Sequence, residues 1–361
     1  MKAIDLFAGI GGLSLGFEKA GIDVVAAFEF WQNAINVYQA NFKHPIYNVD
    51  LSKVKDMSMF AKYDPDIIIG GPPCQDYSSA GKRDEHGGRA DKTIDYANIV
   101  KAVRPKIFVM ENVDNISKYQ TLKKAKSIFR SANYGLTQVV LDASYFNVPQ
   151  KRKRFFLVGI LNGKDDELKD ALEKKDTPNR MTVRDYLGNS LGIEYYYRHP
   201  RNYNRRGVFS IDEPAPTIRG VNRPVPPGYK KNKNDPVDPS TVRALTTKER
   251  SYIQTFPKSF DLTPETSKTN LEQMVGNAVP VNLAYHVGKV VLDYLECNKS
   301  GLDYEQLSLN FNATIGRPPV KITRQDIESL MKQGLNKTQI AKKLCVSRST
   351  IYRLSKMDKA N

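Results

Sequence analysis

Cys74 follows Pro72 and Pro73 at the end of an apolar run, in GGPPCQDYSSAGKR (70–83). Prolines fix φ and remove backbone donors, so they hold the thiol on a rigid turn rather than inside a helix. A buried structural cysteine is the plainer reading, but the polar turn around it and the groups described next favour a nucleophile. Glu111-Asn112-Val113 closes another apolar run, where a carboxylate can donate a proton or hold a ring nitrogen. In Gln150-Lys151-Arg152-Lys153-Arg154, alternate residues of a strand share one face, so Arg152 and Arg154 are expected to point together into a site. The polar stretch from Gln75 to about Thr93 carries Gly81, Gly87 and Gly88 with the cations Lys82, Arg83 and Arg89. Its composition is that of a lid closing on phosphates, or of a plain loop.

A second set of residues suits a ligand rather than a reaction. DLFAGIGGLSLGF (5–17) places a glycine-rich turn between a strand and a helix, where a ligand can approach the backbone and a helix N-terminus. The dinucleotide pattern GxGxxG fails, because Ser14 stands at its third glycine. Glu29, after the next strand, is the acid expected on ribose hydroxyls, and Asp50 can accept from an adenine amino group. Singly these are solvated charges; in this order they suit an adenosine-containing cofactor.

The elements that must carry these residues alternate. AIDLFAG, VVAAFEF, DIIIGGPP, KIFVMENV and RFFLVGIL read as strands, and LSLGFEKAG (stopped by Gly21) and NAINVYQANF as amphipathic helices. That alternation predicts an α/β fold around a mostly parallel sheet with covered faces. Gly9, Glu29, Cys74 and Glu111 each follow an apolar run, at the strand ends where such sheets bind ligands. From about 166 the pattern breaks. Residues 195–240 are rich in Tyr, Arg, Pro and Asn, and helix-like patterning returns in TVRALTTKERSYIQTF and NLAYHVGKVVLDYL. The expected organisation is a first domain over 1–165 completed by 272–297, a smaller irregular domain over 166–271, a linker over 298–315 and a basic unit over 316–361.

The composition narrows the partners. The chain has 361 residues, 40% apolar and 26% charged, and no apolar run near the ~18 residues of a membrane span. The N-terminus lacks the zones of a signal peptide. Cys74, Cys297 and Cys345 are odd in number and far apart, and His44, His86, His199 and His286 are scattered. Neither set forms a disulfide framework or a zinc spacing. We expect a cytoplasmic, reduced protein without a metal, monomeric and with no membrane partner. The net charge is +16, and residues 316–361 hold eleven Lys or Arg against three Asp or Glu, or +8. Charge so concentrated favours a nucleic acid through counterion release.

The segments DLFAGIGG, GPPCQ, ENV, QxRxR and QMVGNAVP (273–280), in this order, resemble the C5-cytosine-specific DNA methyltransferase family of the restriction-modification type. The resemblance covers roughly 1–165 and 240–290. It implies a Rossmann-like S-adenosylmethionine-dependent domain followed by a target-recognition domain. S-adenosylmethionine would be held by Phe7, Ala8, Gly9, Ile10, Gly11, Gly12, Glu29, Phe30, Asp50, Pro72, Asn277 and Val279. Cys74 would be the nucleophile, Glu111 would engage the base at N3, and Arg154 with Arg152 beside it would support base and nucleophile. The family often has tryptophan after the acid of the second strand. Here Phe30 comes first and Trp31 one later, which leaves open the ring that packs on the adenine. Chemistry on a stacked base requires its extrusion, at a cost of a few kcal/mol.

Double-stranded DNA would then meet Gln75, Ser78, Lys82, Arg83 and Arg89 of the polar stretch. It would also meet Thr217 and Arg219 of Glu213-Pro-Ala-Pro-Thr-Ile-Arg-Gly220, similar to the family's short Thr-Leu or Thr-Ile element. A cognate restriction endonuclease acting on the same site, without direct contact, is an implied partner. The tail reads as a helix (Arg324–Gln333), a break at Gly334, a helix (Lys337–Leu344) and a third helix from Ser347, an N-cap residue type. With its Gly-Arg-Pro arm it resembles the all-α helix-turn-helix of serine recombinases. Arg348, Ser349, Thr350 and Arg353 would face the major groove and Arg317 the minor groove. Two other functions compete. A transfer-RNA-modifying branch of the family shares the motifs, and a DNA-binding regulator could carry a vestigial catalytic half. The long recognition segment and the tail favour DNA over RNA, and the intact Cys74, Glu111 and Arg154 favour an enzyme.

Overall fold

The computed structural model describes residues 1–73, 91–202, 204–300 and Met331. The first half alternates as its apolar runs require: β1 (Lys2–Leu6), α1 (Gly12–Ala20), β2 (Asp23–Glu29), α2 (Gln32–Asn41), β3 (Ile46–Asn48), α3 (Ser58–Ala61), β4 (Ile67–Gly70), α4 (Asp91–Val103), β5 (Ile107–Val113), α5 (Gln120–Ser131) and β6 (Tyr134–Asp142). The short β7 (Gln150–Lys151) and the long β8 (Lys153–Leu161) follow. Seven strands form one sheet in the order β3-β2-β1-β4-β5-β8-β6. Pairing is parallel from β3 to β5, while β8 runs antiparallel to both β5 and β6. The chain winds outward from β1 to β3 and then returns to place β4 on the other side of β1. The crevice of such a sheet opens where the winding reverses, at the C-terminal ends of β1 and β4.

Side chains leave alternate faces of each strand. Ile4, Leu6, Ala26, Phe28, Ile68, Phe108 and Met110 enter one core cluster, together with Tyr96, Val100, Ala125 and Phe129 of α4 and α5. The Tyr96 hydroxyl sits among these apolar groups and is satisfied by donating to the carbonyls of Ile68 and Val109. On the other face Ala27 packs with Ala34, Ile35 and Tyr38 of α2.

The second half contributes short elements: α6 (Lys169–Glu173), α7 (Val183–Leu187), β9 (Tyr195–Tyr197), β10 (Val208–Ser210), β11 (Ala215–Pro216), α8 (Thr247–Ile253), α9 (Lys268–Asn277) and α10 (Val281–Ser300). Val183, Ile211, Ala215, Ile218, Leu245 and Met274 from this half join the same apolar cluster as Ala27 and Tyr38. The last helix seats on the first: a Cβ on Gly16 would lie 2.4 Å from the Cβ of Ala284, so the two backbones meet only because position 16 is glycine. TVRALTTKERSYIQTF is helical only over α8. Thr246 and Glu249 form a capping box that starts the helix there, and Val242 before it is extended. Thr255, at φ +61, follows its end.

The chain forms two compact units, Met1–Glu296 and Cys297–Asn361. Of the three helices expected in the tail, Met331 alone falls among the described residues, and it is helical. No described helix is long and apolar enough to cross a membrane.

Candidate active site

A cleft of about 1440 Å³ opens at the reversal of the sheet. One wall is the turn after β1. Phe7 holds φ +59, a region that costs a side-chain-bearing residue energy, and Gly9 (φ +56) and Gly11 (φ +87) follow it. Phe7, Ala8, Gly9, Ile10 and Gly12 line the cleft. Gly11 instead stands before α1, where a Cβ would collide with the rings of Phe42 and Tyr38. Gly12 lets the late segment close over the turn, since a Cβ there would lie 2.4 Å from the carbonyl oxygen of Val279. Asn277 and Val279 thereby join the lining from the far end of the chain.

Glu29 ends β2 and ties this wall together. Its Oε2 accepts from the Gly9 amide at 2.8 Å, and its Oε1 accepts from the amides of Phe30 and Trp31. A carboxylate offers about four lone-pair positions, so roughly one remains on Oε2 for a ligand hydroxyl. Asp50 is also engaged. Its Oδ1 accepts from the Ser52 amide, the Ser52 hydroxyl and Lys92 Nζ at 2.8 Å, and these bonds hold its carboxyl well below the usual range. Phe30 is 64% exposed, an unusual state for a phenyl ring, whereas Trp31 is half-buried against the core; both line the cleft. A glycine cradle, an acid with one free lone pair and an uncovered aromatic ring fit an adenosine-bearing ligand such as S-adenosylmethionine.

The opposite wall carries the candidate reaction centre. Glu111 on β5 is buried and receives Arg154 Nε at 2.8 Å from the neighbouring β8. Burial pushes the Glu111 carboxyl up, and Arg154 and then Arg152 pull it partly back. The end of β4 abuts this acid: a Cβ on Gly71 would lie 3.2 Å from Glu111 Oε2. Asn112 Nδ2 donates to the carbonyl of Pro72 at 3.2 Å, which fixes the backbone two residues before Cys74. Pro72 lines the cleft. Cys74, Gln75, Ser78, Lys82, Arg83 and Arg89 lie outside the described residues, as do Arg317, Arg348, Ser349, Thr350 and Arg353.

Arg152 and Arg154 do not share a task. Arg152 sits in the break between β7 and β8 and is 1% exposed. Its guanidinium donates to the carbonyls of Ile218, Gly276 and Ala278, so it acts as a clamp between three segments. Gln150, which opens the QxRxR run but was given no role there, and Gln254, which motif reading passed over, complete the clamp. The Gln150 amide donates to Gln254 Oε1 and its Oε1 accepts from the Ile218 amide, while Gln254 Nε2 donates to the carbonyls of Val275 and Ala278. Thr217 is drawn into the same seam, its hydroxyl donating to the Lys151 carbonyl at 2.7 Å.

Thr217 and Arg219 both line the cleft, in the company of His199, Arg201 and Arg223. Arg219 donates to the His199 carbonyl, and burial and the nearby Arg201 and Arg223 charges push its pKa down. Burial likewise lowers Arg198 to about 10 and depresses His199. No single turn of sequence marks this basic cluster; it assembles from two loops more than fifteen residues apart.

A Rossmann-like α/β sheet with a glycine-rich turn after β1, a β4 followed in sequence by Pro-Pro-Cys and a buried acid on β5 defines the class of S-adenosylmethionine-dependent methyltransferases that act on the cytosine ring. The chain belongs to the C-5 cytosine-specific DNA methylase family, whose pattern matches residues 1–293; it is a DNA cytosine-5 methyltransferase. It is 59% identical over 297 residues to the Type II methyltransferase M.HindV of Haemophilus influenzae, covering 81% of this chain and 97% of the relative. It is 51% identical over 296 residues to the Type II methyltransferase M.HgiDI of Herpetosiphon aurantiacus, covering 82% and 95%. Among solved structures the fold is similar to a putative DNA modification methyltransferase encoded within a prophage of E. coli, at a TM-score of 0.62, 23% identity and 82% and 99% coverage. It is also similar to the S. pombe Dnmt2 methyltransferase, at a TM-score of 0.65, 18% identity and 82% and 99% coverage.

Proposed function

We propose that the chain methylates C5 of an extruded cytosine within a specific duplex DNA sequence, with Cys74 as nucleophile and S-adenosylmethionine as donor, as the modification enzyme of a restriction-modification system. The observation that carries this reading is the buried Glu111–Arg154 pair, which stands in the same cleft as the glycine-rich turn, beside the Pro72 backbone that leads to Cys74.

The residue types answer the chemistry. Cytosine C5 is a poor nucleophile. Addition of the Cys74 thiolate at C6 makes it enamine-like, and a proton held at N3 by Glu111 offsets the charge that develops. Burial serves this role, because a carboxyl whose pKa is pushed up keeps its proton nearer neutrality. Arg154 fixes the orientation of that acid. Loss of the C5 proton and expulsion of the Cys74 sulfur restore the ring. Phe7 to Gly12, Glu29, Phe30, Asp50, Pro72, Asn277 and Val279 would hold S-adenosylmethionine, which when bound supplies an electrophilic sulfonium methyl.

The relatives at 59% and 51% identity are both named Type II methyltransferases, which supports the restriction-modification setting. Residues 294–361 lie beyond the family match, and their basic excess supports a DNA-binding helix-turn-helix that either localises the enzyme or represses its own gene. The enzyme would work in the cytoplasm, at the nucleoid. A duplex containing 5-fluorocytosine at the target position tests the covalent route. The expected result is a protein–DNA adduct through Cys74 that Cys74→Ala does not form while still binding DNA. Methylation by Cys74→Ala, or active enzyme that forms no adduct, overturns it.

A further inference from the structure

The arginines of the recognition half sort by what they already hold. Arg184 is paired with Asp212 and Glu194, Arg206 with Glu213, Arg243 with Glu249 and Arg250 with Glu272. Arg198 donates to the Thr217 carbonyl at 2.9 Å and Arg219 to that of His199. Arg205 is exposed and lies off the cleft, and Arg201 and Arg223 are different again. Both are exposed, both line the cleft that holds the Glu111–Arg154 pair, and neither has a carboxylate or carbonyl partner among the described residues.

Their surroundings argue that they await a ligand at a fixed place. The loop bearing Arg223 is pinned over the residues that lead into it. The Arg219 carbonyl accepts from the buried Arg250, and a Cβ on Gly276 would lie 2.3 Å from the Gly220 amide. Asn222 Nδ2 donates to the Leu245 carbonyl at 2.7 Å and to Glu272 at 2.9 Å. Arg201 follows His199 and Pro200, and the His199 carbonyl is held by Arg219. Arg201 and Arg223 thus both stand close enough to Arg219 for their charges to add to burial in pushing its pKa down.

We propose that Arg201 and Arg223 are specificity-determining residues, each reading one guanine of the target sequence through its O6 and N7 acceptors in the major groove. The assignment rests on the methyl-transfer reading above and adds the bases that surround the cytosine. A planar guanidinium matches the two acceptors of a guanine edge, as a lysine ammonium does not. Base readout also needs a donor carried on rigid backbone, which the pinned loop supplies. Phosphates have other partners in the same cleft: Lys151 and Lys153 are exposed point charges on its rim. The methylated site therefore contains guanines in base pairs near the extruded cytosine.

The test uses the full chain. Bisulfite sequencing of DNA exposed to the wild type defines the target, and kinetics on that duplex then compare Arg201→Lys and Arg223→Lys with the wild type. Each lysine variant keeps the charge and loses the fork. The expected result for each is a fall in kcat/KM of about 10- to 100-fold, with methylated sites broadening at one guanine position. Placing 7-deazaguanine at that position should cost the wild type a similar factor and the matching variant little more, because both remove the same bond. A target without nearby guanines, or lysine variants with wild-type rate and site preference, overturns the assignment. So does a loss by Arg201→Ala and Arg223→Ala that is uniform across sequences with a shallower salt dependence, the mark of phosphate contacts. Unmethylated C5 in the wild-type reaction would overturn instead the methyl-transfer reading on which the assignment rests.

Discussion

Arg154 Nε lies 2.8 Å from Glu111 Oε1 across two antiparallel strands, with Arg154 opposite Val113 and Glu111 opposite Phe156. The pair is diagonal in the ladder and both side chains are nearly buried, so neither can swing away without leaving the other uncompensated. The acid is thereby aimed by its partner and raised by its burial, two effects that oppose each other on its pKa.

Removing each half of the pair should give different signatures. Glu111→Gln is expected to lower kcat by about 100-fold or more while DNA affinity holds, since it removes the proton and not the shape. Arg154→Ala lowers kcat as well, and it also takes away the charge that pulls the Glu111 carboxyl down. The Glu111 pKa then rises, so the fall in rate with increasing pH should begin at a higher pH than in the wild type. The pH–rate profiles of single-turnover methylation check both.

Arg152 should behave as a structural residue. Its replacement by methionine leaves the carbonyls of Ile218 and Gly276 without the Arg152 donor in a buried seam, while Ala278 keeps the one from Gln254. Each unsatisfied acceptor costs about 1–3 kcal/mol, so Arg152→Met is expected to cost at least about 2 kcal/mol. Thermal unfolding should show a fall of several degrees or more. Arg154→Ala should shift it less, because the Glu111 carboxyl left behind can take up a proton, whereas the carbonyls left by Arg152 cannot.

A buried carboxyl unused by the reaction sets a pH dependence of stability. Asp5 on β1 is fully buried, and burial pushes its pKa from 3.8 up to about 7. Ser14 Oγ donates to it at 2.6 Å and Tyr38 donates to Ser14 at 2.7 Å. The folded chain keeps a proton that the unfolded chain releases between those two values, so the contribution of Asp5 to stability is complete below about pH 4 and declines as pH rises toward 7. The loss is on the order of 4 kcal/mol, at 1.36 kcal/mol per pH unit. Asp5→Asn keeps an acceptor for Ser14 and removes the titration. Melting curves of this variant should lose that decline and lie above those of the wild type at pH 8.

Truncation after Asn312 removes eleven Lys or Arg and three Asp or Glu, a change of −8. The unit Met1–Glu296 is compact by itself and should remain folded and active. Affinity for non-specific duplex DNA should fall, and the plot of log K against log salt should become shallower by several units. Unchanged affinity with an unchanged slope would assign the tail another role.

Much of the proposed reaction centre can be read as a candidate from the residues alone, because its chemistry is local. A thiol after two prolines, an acid closing an apolar run and glycines after a first strand need only near neighbours to be understood. Strand and helix alternation in the first half likewise follows from short-range periodicity, and it anticipated the parallel strands β1, β2, β4 and β5. The direction of β8 was not legible, since pairing is chosen by the whole sheet rather than by RFFLVGIL itself.

The arginines mark the boundary most sharply. Two residues apart in one basic run, Arg152 and Arg154 read as equals, yet one holds carbonyls 66, 124 and 126 positions away and the other holds a carboxylate on the adjacent strand. Arg201 and Arg223 lie in loops that composition marks only as basic, and what distinguishes them is that the other described arginines lining the cleft each hold a carbonyl or a carboxylate. A sequence specifies which donors and acceptors exist. Which of them meet, and which are left facing the cleft, is decided only when distant segments close on one another, because a hydrogen bond exists only within about 3 Å.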